Sequence, residues 1–575
     1  MKDLYLGGSD FEALAEGDYI FIDKTEYVYK MIKRYLPFFL SRPRRFGKSL
    51  LVSIIEAIFK GRRELFKGTW IYNSDYDWQT YPVINISLND IESDSAKDFR
   101  TSLFSMLIDI VSEEKLDDVI TAKLAISKTQ SPVDLFRSLI VQLSIKYNSK
   151  VVILIDEYDA PILDNIGDNT KAGLIRGELK KFYAVLKSKF KLLRFIFITG
   201  VSKFTKTSLF SELNNLQDLT LDAEYASICG ITQDELLLNF SDYLSRSLDK
   251  LIKKNSLPPN STQNDLLSFI QHWYDGYSWD GETRVYNPWS LLNFFRLNRF
   301  SDFWFESGSP SFLINLMKKG KTKFNFFNNQ NIITDGTSNI DVGQYSAPVL
   351  AFQTGYLTVD TINYEKKPEE YLLRIPNNEV ERSLLLYLVG LYSVEAGVKE
   401  EFTKMAKLVL TAICNKKASE AEEAYINFIS YLPYSQHVPT ESFYMNLLHV
   451  AMIFSDHSVD REKSVAGGII DAKFDGFDGD IFIIEMKYIH NTVTVPVKTL
   501  SDPTKVITQK QRPKKRKMTD EEITENLNKS VQEAMNQIER KDYTAAYMGL
   551  GRTVYKVAIA VCGRNRVKFV FEEAV

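Results

Sequence analysis

Ser41–Leu50 reads SRPRRFGKSL. An apolar run, Tyr35–Leu40, precedes it and another, Leu50–Phe59, follows, so the chain passes from a strand through a tight loop into a helix. Gly47-Lys48-Ser49 carries the chemistry of a phosphate cradle. The first N–H groups of a helix have no acceptor within it, and the helix dipole adds positive potential there. Gly47 allows close backbone approach, Lys48 reaches terminal phosphates, and the Ser49 hydroxyl can ligate Mg²⁺. The usual spacing, GxxxxGK[ST], asks for glycine where this chain has Arg42. Alone, the match is balanced by a chance GKS ahead of an amphipathic helix.

A second stretch tips that balance. VVILIDEYDAP, Val151–Pro161, is a continuous apolar run ending in Asp156-Glu157. Such a run is a strand buried on both faces of a parallel sheet, and carboxylates at its C-terminal end sit where α/β sheets place ligands. Asp156 is placed to hold Mg²⁺ and Glu157 to polarise an attacking water. The plainer reading is a solvated loop start. YPVINISL (Tyr81–Leu88) and LLRFIFITGVSKF (Leu192–Phe204) supply further strands. Ser202, with Thr199 and Lys203, ends the latter where a γ-phosphate would be sensed, or simply caps the strand. The order predicts a sheet in which an extra strand separates the two phosphate motifs. Helices fill Ser95–Gln142 and Leu174–Phe190, and Asp23 or Thr25 caps one carrying Tyr27, Met31 and Ile32. That early segment is also a candidate wall for a nucleotide base.

The chain has 575 residues, 45% hydrophobic and 25% charged, with net charge −3. This excludes one single core and any global nucleic-acid signature. Cys229, Cys414 and Cys562 form no CxxC pair, which argues against structural zinc and a disulfide framework. The absence of an apolar leader or ~18-residue apolar run predicts a cytoplasmic protein with no membrane span.

From Ile231 the texture becomes helical and aromatic. Thr232 with Glu235 reads as a capping box. The aromatics of WYDGYSWDGETRVYNPWSLLNFF (Trp273–Phe295) and FWFESGSPSFLINLM (Phe303–Met317) read as core and turn packing, with a stacking surface as the alternative. FQTGYLTVDTI (Phe352–Ile362) reads as a hairpin strand. Arg176 and Arg284 are candidate trans-acting arginines.

Nearer the C-terminus, GGIIDAKFDG (Gly467–Gly476) sets Asp471 after apolar residues, and DIFIIEMKYIH (Asp480–His490) is an apolar strand interrupted by Glu485 and Lys487. Residues i and i+2 share a face. Two charges there cost several kcal/mol unless paired or metal-bound. One reading is a surface ion pair. The other is a nuclease-type centre: Asp471 and Glu485 hold Mg²⁺, Lys487 orients the water, Glu441 joins the metal shell and Gln537 supports it. Lys510, Arg512, Lys514, Lys515, Arg516 and Lys517 form a basic run, either a solvated loop or a phosphate-backbone arm.

RPRRFGKS, LIDEYDAP, ITGVSKF, WYDGYSW…YNPWS, FESGSPSFL and FQTGYLT, in this order, resemble the AAA-ATPase-like family, and GGIID…IFIIEMK with AMNQIERKDY resembles its C-terminal PD-(D/E)XK nuclease-like domain. The resemblance makes Arg42 normal for the loop. It implies an α/β P-loop NTPase with a parallel sheet and helices on both faces over 1–230, and a helical subdomain over 231–375. An α/β restriction-endonuclease-like domain follows over 376–575, with its core at about 436–575. By that resemblance, ATP and Mg²⁺ are held by Lys48, Ser49, Asp156 and Glu157. Asp471, Glu485 and Lys487 take the nuclease roles. Arg42, Arg44 and Arg45 are expected to add charge toward the phosphates in place of some contacts of the missing glycine loop. The expected function is ATP-dependent cleavage of DNA or RNA, with nucleic acid and further copies of the chain as candidate partners. The alternative is a nucleotide-dependent switch whose C-terminal domain binds without cutting.

Overall fold

Five runs build one parallel sheet: β1 (Pro37–Ser41), β2 (Val83–Ser87), β3 (Val151–Asp156), β4 (Leu193–Gly200) and the short β5 (Gln217–Asp218). Their order is β2-β3-β4-β1-β5, and every neighbouring pair is parallel. β4 therefore lies between the loop-bearing β1 and the carboxylate-bearing β3, as the chain order predicts. All residues of β1 and β3 are buried, which explains their uninterrupted apolar sequences. Parallel strands need crossovers, and helices supply them: Lys48–Phe59, Ala96–Glu113, Pro132–Lys146 and Asn169–Ser188. The last three start on Ser95, Ser131 and Asp168, whose side chains accept first-turn N–H bonds.

The computed structural model describes residues 2–118, 120, 131–204, 209–210, 213, 215–254, 257, 261–304, 331–334, 346–384, 399–430, 440–453, 455, 459–465, 468–476, 479–495, 514–548 and 551–574. The FESGSPSFL motif, Lys510 and Arg512 lie outside them. The chain divides into two compact units, 1–381 and 382–575.

In the first unit, the helix Thr25–Arg34 buries Val28, Met31 and Ile32, and Asp23 accepts the Thr25 N–H at 2.9 Å. Thr232 and Glu235 do form a capping box. The segment behind them breaks at Phe240 into Gln233–Asn239 and Ser241–Lys253. Its aromatics are core: Phe240, Tyr274, Tyr286, Phe294 and Phe295 share one cluster. A small antiparallel sheet follows, with β6 (Asn331–Thr334), β7 (Thr358–Asn363) and β8 (Glu370–Arg374) in the order β6-β8-β7. The hairpin expectation for Phe352–Ile362 holds from Thr358 on, where β7 pairs antiparallel with β8, and needs correcting before it. Phe352 and Gln353 end a helix, Ala347–Gln353, and Gly355 at φ 90° turns the chain before β7. A glycine in the left-handed region is a helix stop, not a strand residue.

The second unit holds β9 (Val459–Val465), β10 (Gly468–Asp475), β11 (Ile481–Ile489), β12 (Thr492–Val495), β13 (Lys514–Lys517), β14 (Val554–Cys562) and β15 (Arg566–Glu573). Its main sheet runs β15-β14-β11-β10-β9, while β12 and β13 pair separately. β9, β10 and β11 form an antiparallel meander, and β14 returns parallel to β11 after the helix Asp520–Arg540. Val531, Ala534, Met535 and Ile538 of that helix pack on Ile481, Ile483, Ala558 and Ala560.

Candidate functional site

The loop after β1 opens into a cavity of about 430 Å³, the size of a small-molecule site. Gly47 precedes the helix at φ 87°, and a Cβ added there would meet nothing. The first helical bond is Leu51 N–H to Gly47 O, 3.0 Å, which leaves the preceding N–H groups free for an anion. Lys48 is 5% exposed. Its Nζ donates to Pro43 O at 3.0 Å, and among the described residues no carboxylate stands within ion-pair distance. Burial pushes the ammonium's pKa down, opposed by Asp156 and Glu157. A buried cation held only by a carbonyl suits a phosphate partner. Ser49 and Arg44 also line the cavity, and Arg45 stacks on the lining Trp289, 4.6 Å from its ring centre.

Glu157 lines the same cavity; Asp156 lies just behind it, 5% exposed, and accepts the Glu157 N–H at 2.9 Å. Glu157 sits at φ 48°, a strained conformation of the kind found at functional sites. Burial raises its pKa, opposed first by Lys48. Ser202 does not line the cavity. It is buried, and its N–H donates to Asp159 at 2.6 Å. Asp159 also takes the Val201 N–H at 3.2 Å, and a Cβ at Gly200 would collide with it. Asp159 thus ties the end of the carboxylate strand to the tip of β4. Its one sequence signal is the third acid of DEYD, which does not disclose this role.

Arg42 faces away from the phosphate side. Its fully buried guanidinium donates to the carbonyls of Ser41, Thr220 and Tyr225 at 2.8, 2.9 and 3.1 Å and lies 3.9 Å from the Trp279 ring centre. Burial lowers its pKa to about 10. It anchors the loop; it does not supply charge to a ligand. Arg284 is likewise used internally, on Val359 O at 2.9 Å.

In the second unit, β10 and β11 pair Ala472 with Ile484. One step on, the register sets Asp471 opposite Glu485. Glu485 is fully buried. One oxygen takes Lys487 Nζ at 2.8 Å, and the other has no hydrogen-bond partner among the described residues. Burial, then Asp471, push its pKa up to about 7. Asp471 accepts the Met486 N–H at 2.9 Å. Glu441 accepts the Tyr488 N–H at 3.3 Å and lies 3.7 Å from Lys487 Nζ. Among the described residues no three His, Cys, Asp or Glu side chains are spaced to hold a metal. Asp471 and Glu485 would serve as a pair, which suits Mg²⁺, an ion that keeps several waters. Gln537 makes no side-chain hydrogen bond to this group among the described residues.

The family described as predicted AAA-ATPase matches residues 5–210. A relative from Azotobacter chroococcum mcd 1, described as an uncharacterized protein in the vnfD 5′ region, is 32% identical over 500 residues, 85% of this chain and 90% of that one. The chain belongs to the AAA-ATPase-like family. No solved structure matches it. Family membership and the parallel sheet together support ATPase activity for the first unit. Among the described residues of this AAA-ATPase-like protein, no helix is long and apolar enough to cross a membrane. The basic run is partly structured: Lys514–Lys517 are β13, and Arg516 forms a two-pronged ion pair with Glu522 at 2.7 and 2.5 Å.

Proposed function

We propose that the first unit binds and hydrolyses ATP and that the second is a Mg²⁺-dependent phosphodiesterase acting on DNA or RNA under ATP control. For the nucleotide, the reading rests on Lys48 in a cavity that has a charged end, with Arg44 and Glu157, and apolar walls from Tyr5, Ile20, Ile22, Ile231, Trp289 and Leu292. Lys48, Ser49 and the helix N–H groups bind the triphosphate, and the apolar walls take the base. Glu157, made more basic by burial while Lys48 favours its ionised form, accepts a proton from the attacking water. Asp156 and Ser49 are the residues that would hold Mg²⁺ there.

For the second unit, the observation that carries the reading is the unpartnered, buried Glu485 oxygen beside Asp471 and Lys487. A buried acceptor without a donor costs about 1–3 kcal/mol, and a cation removes that cost. When bound, Mg²⁺ supplies Lewis-acid polarisation of a phosphodiester and a more acidic water. Asp471 and Glu485 would hold it; Lys487 would stabilise charge developing on the phosphate. The meander-helix-strand topology of the sheet supports the likeness to nuclease folds.

The test is cleavage of single- and double-stranded DNA and RNA with Mg²⁺, with and without ATP. Cleavage lost in Glu485→Ala and Lys487→Ala supports the proposal; no cleavage by wild type on any substrate sinks the nuclease half. A second reading, a nucleotide switch that binds nucleic acid without cutting, is favoured by the Lys487–Glu485 ion pair, which can be purely structural. Salt-sensitive binding retained in Glu485→Ala, with no cleavage by wild type, would select it.

A further inference from the structure

The phosphate loop lacks the glycine its spacing calls for, so its backbone must be held by something else. Arg45 adopts φ 68°, in the left-handed region, at a cost of about 1–2 kcal/mol for a residue with a side chain. The support comes from far along the chain. Trp304 Nε1–H donates to the carbonyl of Arg44 at 3.1 Å, fixing the peptide that leads into Arg45. The Trp304 backbone N–H donates to one oxygen of Glu379 at 2.7 Å, and Ser290 Oγ lies 2.7 Å from the other. Glu379 is fully buried, and neither oxygen contacts the cavity. Pro43, at the start of the loop, sits against Gly355, where a Cβ would come within 2.8 Å of the proline ring. Phe46 packs edge-on to Tyr277 at 4.8 Å.

We propose that Trp304 and Glu379 are positioning residues for nucleotide phosphate binding: Trp304, held at its backbone N–H by a buried carboxyl group, uses its indole N–H to set the Arg44 carbonyl and thereby the loop that presents Lys48 and Ser49. The inference rests on the ATP reading of the loop. Neither residue touches the nucleotide; both act through the loop backbone, where displacement of a few tenths of an ångström is enough to weaken phosphate contacts.

The experiment compares ATP hydrolysis and ATP binding for wild type, Trp304→Phe, Glu379→Ala, Glu379→Gln and Lys48→Ala, each with its melting temperature. Trp304→Phe keeps an aromatic ring and removes the N–H. It should raise KM and Kd for ATP about tenfold and leave kcat at saturating ATP within about twofold, the loss of about 1.4 kcal/mol of binding. Glu379→Ala should do the same, and Glu379→Gln, which keeps an oxygen for the Trp304 N–H, should restore affinity to within about threefold of wild type. Unchanged affinity in Trp304→Phe overturns the proposal. So does a fall in kcat at unchanged KM, which reports a lost folded fraction and not a displaced loop. Lys48→Ala separates the two levels: wild-type affinity in that variant defeats the ATP reading itself, whereas its loss alongside an intact Trp304→Phe defeats only the positioning role.

Discussion

The two charged sites are opposites in both construction and electrostatics. The nucleotide site gathers residues from across the first unit: the loop at 42–49, Glu157, Trp289 and the segment around Tyr5 all face one cavity. The second unit's cluster is local, with Asp471, Glu485 and Lys487 on adjacent strands and Glu441 bonded to the backbone of one of them. Among the described residues, the first site buries an ammonium whose hydrogen bond goes to a carbonyl and not to a carboxylate; the second buries a carboxyl oxygen with no donor. On the proposed reading, one would attract an anion and the other a cation. The difference teaches that burial of an under-compensated charge, more than a motif match, is the observation on which each proposed site rests.

The sharpest way to break this contrast is at Lys48. Lys48→Ala should reduce ATP turnover by about a hundredfold or more and weaken ATP binding, because the buried cation facing the phosphates is gone. Glu157→Gln should lose turnover to a similar extent while still binding ATP, since only the proton acceptor is removed. Equal binding losses in both would show that Glu157 serves the site's architecture and not its chemistry.

On the acidic side, Lys487→Met should destabilise the second unit by about 3–5 kcal/mol at pH 8.5, the cost of leaving a buried charge unpaired. At pH 5.5 the loss should shrink, because Glu485, with its pKa raised to about 7, is then neutral. The sign follows from linkage. A raised carboxyl pKa contributes stability that is complete below the ordinary value of 4.5 and disappears as pH rises through about 7. Chemical unfolding at the two pH values measures it. Mg²⁺ should raise the melting temperature of wild type and not of Glu485→Gln; equal shifts would remove the cation site.

Glu379 offers the same physics without a ligand. Burial lifts its pKa from 4.5 to about 8, so its favourable protonation is complete below 4.5 and is lost as pH rises through 8. Stability of wild type relative to Glu379→Gln should therefore fall between pH 5 and 9, by at most about 4–5 kcal/mol at about 1.4 per pKa unit. A pH-independent difference would place Glu379 in a wetter setting than its burial indicates.

What could be read in the chain was what is local. β14 spans Val554–Cys562, the same residues its apolar run delimits, and β1, β3 and β4 follow from the same signal. β9, VDREKSV, escaped because an edge strand can be polar. β13, KKRK, reads as a charge run and nothing else. The helix Ala347–Gln353 was hidden because residues 352–362 alternate like a strand, while the decisive fact is the backbone angle at Gly355. Glu157, Lys48 and Ser49 were legible through spacing. Asp159 and Trp304 were not, since their work is to hold N–H and C=O groups whose proximity exists only in the folded chain. The aromatics of Trp273–Phe295, with Phe303 and Trp304, were rightly read as packing, but nothing in their spacing tells that part of the packing lies under the phosphate loop.

The smallest expected effect compares one device used twice. Thr232 and Glu235 form a capping box in the first unit, and Thr519 and Glu522 form one in the second. Each glutamate has a further cationic partner: Lys24, 2.6 Å from Glu235 and buried, and Arg516, 2.5 Å from Glu522 and exposed. Thr232→Ala should cost about 1 kcal/mol, the ordinary value of a lost cap, visible as a drop of a few degrees in melting temperature. Arg516→Ala should shift melting by less than about one degree, and by nothing in high salt, because water already screens that pair. If Arg516→Ala matched Thr232→Ala in size, the basic strand would owe its order to this ion pair, and its other lysines would be held in place instead of free to follow a phosphate backbone.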